Sequence, residues 1–128
     1  MRIAGIGCRT GVGVADVLAA IDAALDRHAL GRDALAGVAT IPQKASEPAL
    51  TGAAELLRLP LLIATADDLR RVDGKVVTRS GASLAAAGLG SASEAAALAV
   101  AGKEARLLGP RIAVGAVTCA IATTDAVR

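Results

Sequence analysis

Residues 3–13 read I-A-G-I-G-C-R-T-G-V-G, and the way this stretch is taken decides the fold. An apolar strand runs up to Gly5 and Gly7, and a loop presents Cys8, Arg9 and Thr10 before Gly11 and Gly13. Val14, Val17, Leu18, Ile21 and Leu25 then recur at helical spacing. The order is strand, glycine loop, helix. Such a turn sets helix N–H groups and the positive end of a helix dipole at the carboxyl end of a strand, where open α/β sheets bind ligands. Arg9 adds a full positive charge there, so the loop reads as one wall of an anion-binding crevice.

Outward from that unit, residues 35–41 (LAGVATI) form a second strand, stopped by the proline-bounded loop 42–48 (PQKASEP). A short helix is expected over 49–57. Residues 59–64 barely alternate and so read as a third strand buried on both faces. A helix follows over 66–72, capped by Thr65. Asp73-Gly74 is a turn, 75–78 a short extended piece, and 80–87 an alanine-rich helix ending at Gly88 and Gly90. Ser91-Ala92-Ser93-Glu94 carries the S-x-x-E pattern of a capping box and opens a helix to Ala101. Residues 106–108 and 113–122 are the last strands. Strands alternating with helices predict one α/β domain over residues 1–128. It is a three-layer α/β/α arrangement around a mainly parallel or mixed sheet of about five strands.

The 128 residues are enough for one sizeable core. With 54% apolar residues but no Phe, Tyr or Trp, that core is packed from Leu, Val, Ile and Ala. Without a ring there is no platform for base stacking, and a net charge of +2 brings no basic block; both argue against nucleic acid. The charge-free runs 80–93 and 112–124 fall short of the roughly 20 apolar residues that span a bilayer. The start of the chain has no sustained apolar core of a signal peptide. Cys8 and Cys119 make no disulfide framework. The expectation is a reduced, cytoplasmic protein with no membrane partner.

The loop's spacing, G-x-G-x-x-x-G-x-G, misses the dinucleotide fingerprint, and Thr40 and Ile41 stand where its acidic residue belongs. No Gly-Lys-Ser/Thr follows, which excludes a P-loop. Two readings stay open: ligand contact at a strand tip, or a tight turn that needs glycine. Cys8 is either a nucleophile, its thiolate favoured by the helix N-terminus and Arg9, or a small half-buried residue. The chain's one histidine, His28, falls near the far end of the first helix, out of reach as a base. Cys119 reads as core, and no zinc site is expected. Lys44 and Glu47 lie on the same expected edge as Arg9, as site groups or as a solvated pair. The capping box accounts for Glu94. Arg111, after Pro110, is surface or site, and Asp67, Asp68, Arg70 and Arg71 are a solvated helix face.

Four stretches in order carry a resemblance: GIGCR at 5–9, KASEP at 44–48, SASEAAAL at 91–98 and VTCAIA at 117–122. Together they resemble the CobE family of cobalamin biosynthesis, whose domain also forms the C-terminal part of CbiG, the cobalt-precorrin-5A hydrolase. The resemblance spans nearly the whole chain and puts Gly5, Gly7, Cys8, Arg9, Lys44, Glu47 and Glu94 on motif positions. Arg111 stands where the family tends to have lysine, which keeps the charge and changes the geometry. What the resemblance implies is a part in corrin ring synthesis in the cytoplasm, with a precorrin or corrin intermediate as ligand and other cobalamin biosynthesis enzymes as partners. The hydrolase's lactone opening is not carried over, because its N-terminal region has no counterpart here. The expected ligand-binding set is Gly5, Gly7, Cys8, Arg9, Thr10, Lys44, Glu47, Glu94 and Arg111. Its cations would pair with peripheral carboxylates of the ring. Glu47, Glu94 and Cys8 are the candidates for acid, base or nucleophile. No metal or cofactor is expected. A carrier, an enzyme acting on a precorrin, and a phosphate- or nucleotide-binding module all remain open readings.

Overall fold

The structure, a computed structural model, describes residues 1–76 and 91–124. Strand β1 (Arg2–Cys8) is central and buries both faces, Ala4 and Ile6 against one helical layer and Ile3 against the other. Helix α1 (Val14–Arg27) follows and buries Val17, Ala20, Ile21, Ala24 and Leu25, one stripe at helical period. Strand β2 (Gly37–Thr40) pairs parallel with β1. Pro48 then opens helix α2 (Pro48–Leu57), where a missing N–H costs nothing. Strand β3 (Leu61–Ile63) pairs parallel with β2. Helix α3 (Ala66–Val72) is capped by Thr65, whose Oγ1 accepts the Asp68 N–H at 3.1 Å.

The second half builds the other layer and closes the sheet. Helix α4 (Ala92–Ala101) is buried almost all round, Ser93 and Glu94 included. Strands β4 (Arg106–Leu107) and β5 (Ile112–Val114) both pair antiparallel with β6 (Val117–Thr123), which lies antiparallel to β1. The order is β3-β2-β1-β6-β4, with β5 alongside β6. Strands β1 to β5 therefore run one way and β6 alone runs against them, a mixed sheet in which parallel directions dominate. Helices α1 and α2 cover one face with Val17, Ile21, Leu25, Leu50 and Ala53; α3 and α4 cover the other with Leu69, Val72 and the alanines of α4. This is the expected three-layer α/β/α arrangement, with six strands.

Two expectations are corrected. Strand β3 is not buried on both faces: it is the sheet's edge, and Ile63 is 39% exposed. The run 113–122 is not one strand, because Gly115 (φ 58) and Ala116 turn it into a two-residue hairpin between Val114 and Val117. The alanine-rich helix expected over 80–87 lies outside the described residues, as do residues 77–78 of the extended piece at 75–78.

The chain leaves β1 toward β2 and returns on its other side as β6. The β1–α1 loop therefore lies at the carboxyl end of the central strand, between the end of β2 and the β5–β6 hairpin.

Candidate functional site

Gly5 and Gly7 lie inside β1, which also takes in Cys8, expected in the loop. They share with Ile3 the face that meets α4. A Cβ on Gly5 would collide with Ser93 O and would come within 2.7 Å of the Ala97 N and 2.8 Å of its Cβ. A Cβ on Gly7 would lie 2.8 Å from Thr118 Oγ1 and 3.7 Å from the Ala92 Cβ. Small residues here let α4 press onto the sheet, so its first turn stands over the carboxyl half of β1.

Beyond Cys8 the loop is tied down on three sides. The Arg9 N–H donates to Ala116 O of the β5–β6 hairpin at 3.2 Å. The Gly11 N–H donates to Glu47 Oε1 at 3.1 Å, and Lys44 Nζ donates to Thr10 Oγ1 at 3.2 Å. Lys44 and Glu47 thus reach across to the β1–α1 loop, and the solvated-pair reading does not hold. Gly11 adopts φ 88, which favours glycine, while the Gly13 N–H is taken by Asp16 Oδ2 at 2.9 Å. Two of the loop amides are therefore satisfied by the chain's own carboxylates. The Arg9 guanidinium is exposed and has no partner among the described residues.

Cys8 is half-buried between these groups. Burial pushes its thiol upward; Lys44 opposes that and Glu47 adds to it. Of the two readings of Cys8, this favours the small half-buried residue over a nucleophile activated by the helix N-terminus. Cys119 is core, pushed up to about 12 by burial. His28 lies against Gly109, where an added Cβ would be 3.1 Å from its Cε1, far from the loop.

Glu94 differs most from its sequence reading. The Ser91 Oγ does accept the Glu94 N–H, at 3.4 Å, as a cap should. But the Glu94 side chain is fully buried, and its Oε2 accepts the backbone N–H of Arg111 at 2.9 Å. The cap alone does not explain this carboxylate. The structure thus gathers Cys8, Arg9, Thr10, Lys44 and Glu47 at the end of β1. Gly5 and Gly7 lie beneath α4, and Glu94 with Arg111 forms a second cluster. Sequence reasoning missed Asp16, although aspartate three residues after an N-cap was a usable signal. It also missed the hairpin carbonyl of Ala116, for which the sequence gives no sign.

An exposed guanidinium on a loop braced by Lys44 and Glu47, at the carboxyl end of the central strand, has the chemistry to grip a carboxylate. These features define a small α/β protein with a cationic strand-end site. The family model described as "Cobalamin synthesis G C-terminus" matches residues 2–122, and the chain belongs to that family, among the proteins of cobalamin biosynthesis. No curated protein matches it. Among solved structures, CobE, a protein from the cobalamin (vitamin B12) biosynthetic pathway, superposes with a TM-score of 0.90 at 32% identity, covering 95% of this chain and 89% of its own. Cobalamin biosynthesis protein chiG from Agrobacterium tumefaciens is 44% identical, with a TM-score of 0.78 over 98% of this chain and 100% of its own. A putative cobalamin biosynthesis protein G homolog from Sulfolobus solfataricus shares the fold (TM-score 0.74, 19% identity). This chain matches 37% of its length. Among the described residues no helix is long and apolar enough to cross a membrane.

Proposed function

We propose that this protein binds a corrin-ring intermediate of cobalamin biosynthesis at the carboxyl end of β1, and holds it for, or hands it to, other enzymes of that pathway in the cytoplasm. The observation that carries this reading is the exposed, unpartnered guanidinium of Arg9 on a loop braced by Lys44 and Glu47. Such an intermediate offers carboxylates around an apolar ring, and Arg9 supplies a bidentate fork for one of them.

Two alternatives are less well supported. A phosphate module on the glycine loop would need free amides, yet Gly11 and Gly13 donate to Glu47 and Asp16. An enzyme using Cys8 would need a thiolate, and burial works against one.

The test is a visible-absorbance titration with the corrin polycarboxylate hydrogenobyrinic acid. A polypeptide does not absorb visible light, so any visible shift belongs to the pigment. Saturable binding weakened about tenfold or more by Arg9→Ala is the expected result, since bonds to charged groups are the stronger kind. Lys44→Ala should weaken it too. Absence of binding by the folded protein would overturn the reading for this ligand. Turnover of a precorrin, lost in Glu47→Gln, would replace it with the enzyme reading.

A further inference from the structure

The second cluster is built more elaborately than a helix cap requires. Leu108 donates its N–H to Ile121 O at 2.9 Å, and Ile112 pairs with Cys119. Residues 109–111 therefore all stand opposite the single residue Ala120, a bulge of three residues against one between β4 and β5. Pro110 lacks a donor, so the Arg111 N–H is the natural anchor for this bulge. That N–H goes to Glu94 Oε2. On the bulge's first residue, His28 packs against Gly109. A buried carboxylate is costly unless it is well bonded, and an apolar residue would fill the same space in this alanine-rich helix at less cost. The Arg111 guanidinium, by contrast, has no partner among the described residues and is half-buried.

By register, Arg111 lies two strands from β1 and four residues short of the level of Arg9. From the rise and spacing of strands, the two Cα atoms are on the order of 15 Å apart. That separation lets two long side chains hold carboxylates on different sides of one large ring.

We propose that Glu94 is a positioning residue: its buried carboxylate fixes the bulge so that Arg111 meets a second carboxylate of the same polycarboxylate ligand that Arg9 holds. This rests on the corrin-binding reading above. Glu94 does not touch the ligand; it acts through Arg111.

The pigment titration tests it with Glu94→Leu, Glu94→Gln, Arg111→Ala and the double variant Glu94→Leu/Arg111→Ala, each checked for folding by circular dichroism. Arg111→Ala should weaken binding by about tenfold, the scale of one charge-assisted contact. Glu94→Leu should weaken it by a similar factor, and the double variant by no more than Arg111→Ala alone. Glu94→Gln retains an acceptor oxygen and should bind within about threefold of wild type. A merely structural Glu94 would give additive losses in the double variant. Unchanged binding by folded Glu94→Leu, or additive losses, overturns the proposal while binding through Arg9 stands. Should Glu94→Leu fail to fold, the Gln variant decides: a loss as large as that of Arg111→Ala counts against it, and near-wild-type binding supports it. Absence of pigment binding by wild type overturns this inference together with the corrin reading, a pattern distinct from all the others.

Discussion

Gly5 and Gly7 lie inside β1 with helix α4 pressed onto them, whereas Gly11 has open space around it and is set by its φ of 88. Gly13, its neighbour, serves through its N–H, which the Asp16 carboxylate accepts. The first pair is needed for what glycine lacks and Gly11 for its left-handed backbone, whereas Gly13, extended at φ -89, uses only an N–H that other residues also carry. In sequence the four form one glycine-rich motif, read as a whole either as ligand contact or as a tight turn. In the fold they belong to different tasks: the first pair sets how close a helix comes to the sheet, and the second shapes the loop that carries Arg9.

The comparison is broken most directly by Gly5→Ala. The new methyl group would meet Ser93 O and Ala97 N, backbone atoms of a buried helix that cannot move singly. A loss of more than about 3 kcal/mol is expected, at the upper end of overpacking costs. It would be read as a fall in the urea midpoint by circular dichroism, the suitable probe in a chain without tryptophan. An unchanged midpoint would show that α4 is not held by the first pair.

Gly11→Ala should cost less, about 1–2 kcal/mol, because left-handed backbone strain is local. It should also weaken pigment binding, since the strain is relieved by moving the loop that bears Thr10 and Arg9. Gly7→Ala comes next, at about 1 kcal/mol, roughly one hydrogen bond. Its methyl group clashes only with the Thr118 Oγ1, which can rotate away at the loss of its 3.4 Å bond to Gly7 O. With Thr118→Ala already in place, adding Gly7→Ala should cost little more. Equal costs at Gly5 and Gly7 would blur the distinction between backbone and side-chain obstruction.

The sequence was informative where structure is local. The helical period of Val17, Ile21 and Leu25, the Thr65 cap and the Ser91 cap all state their element within a few residues. Placing Lys44 and Glu47 near the β1–α1 loop also followed, since both segments leave the carboxyl ends of parallel neighbours. What did not follow depends on strand order or on unmarked turns. The exposure of β3 reflects its place at the edge of the sheet, which an apolar run does not encode. Helices α1 and α2 both close with left-handed residues, Ala29 (φ 56) and Arg58 (φ 58). The closing bonds run from Leu30 N to Leu25 O and from Leu59 N to Ala54 O. Both are the Schellman pattern without the glycine that normally announces it. The bond from Arg111 to Glu94 crosses 17 residues and rests on burial, and a capping motif masked it.

Cys8 stands between the two glycine pairs and gives the finest test of where packing ends and the site begins. Its thiol is pushed up first by burial and then by Glu47, with Lys44 pulling the other way. Folding therefore favours the neutral thiol, and reactive thiolate accumulates only at higher pH than for a free cysteine. Alkylation by iodoacetamide, followed by mass spectrometry across a pH series, should show a midpoint above that of a small-molecule thiol. Lys44→Ala removes the opposing charge and should move the midpoint further up; Glu47→Gln should move it down. Cys119, buried and pushed up to about 12, should stay unmodified while the protein is folded. A Cys8 midpoint below that of the free thiol would mean that the loop, not burial, controls this sulfur. That outcome would move Cys8 from the packed half of the motif to the functional half and restore it as a nucleophile.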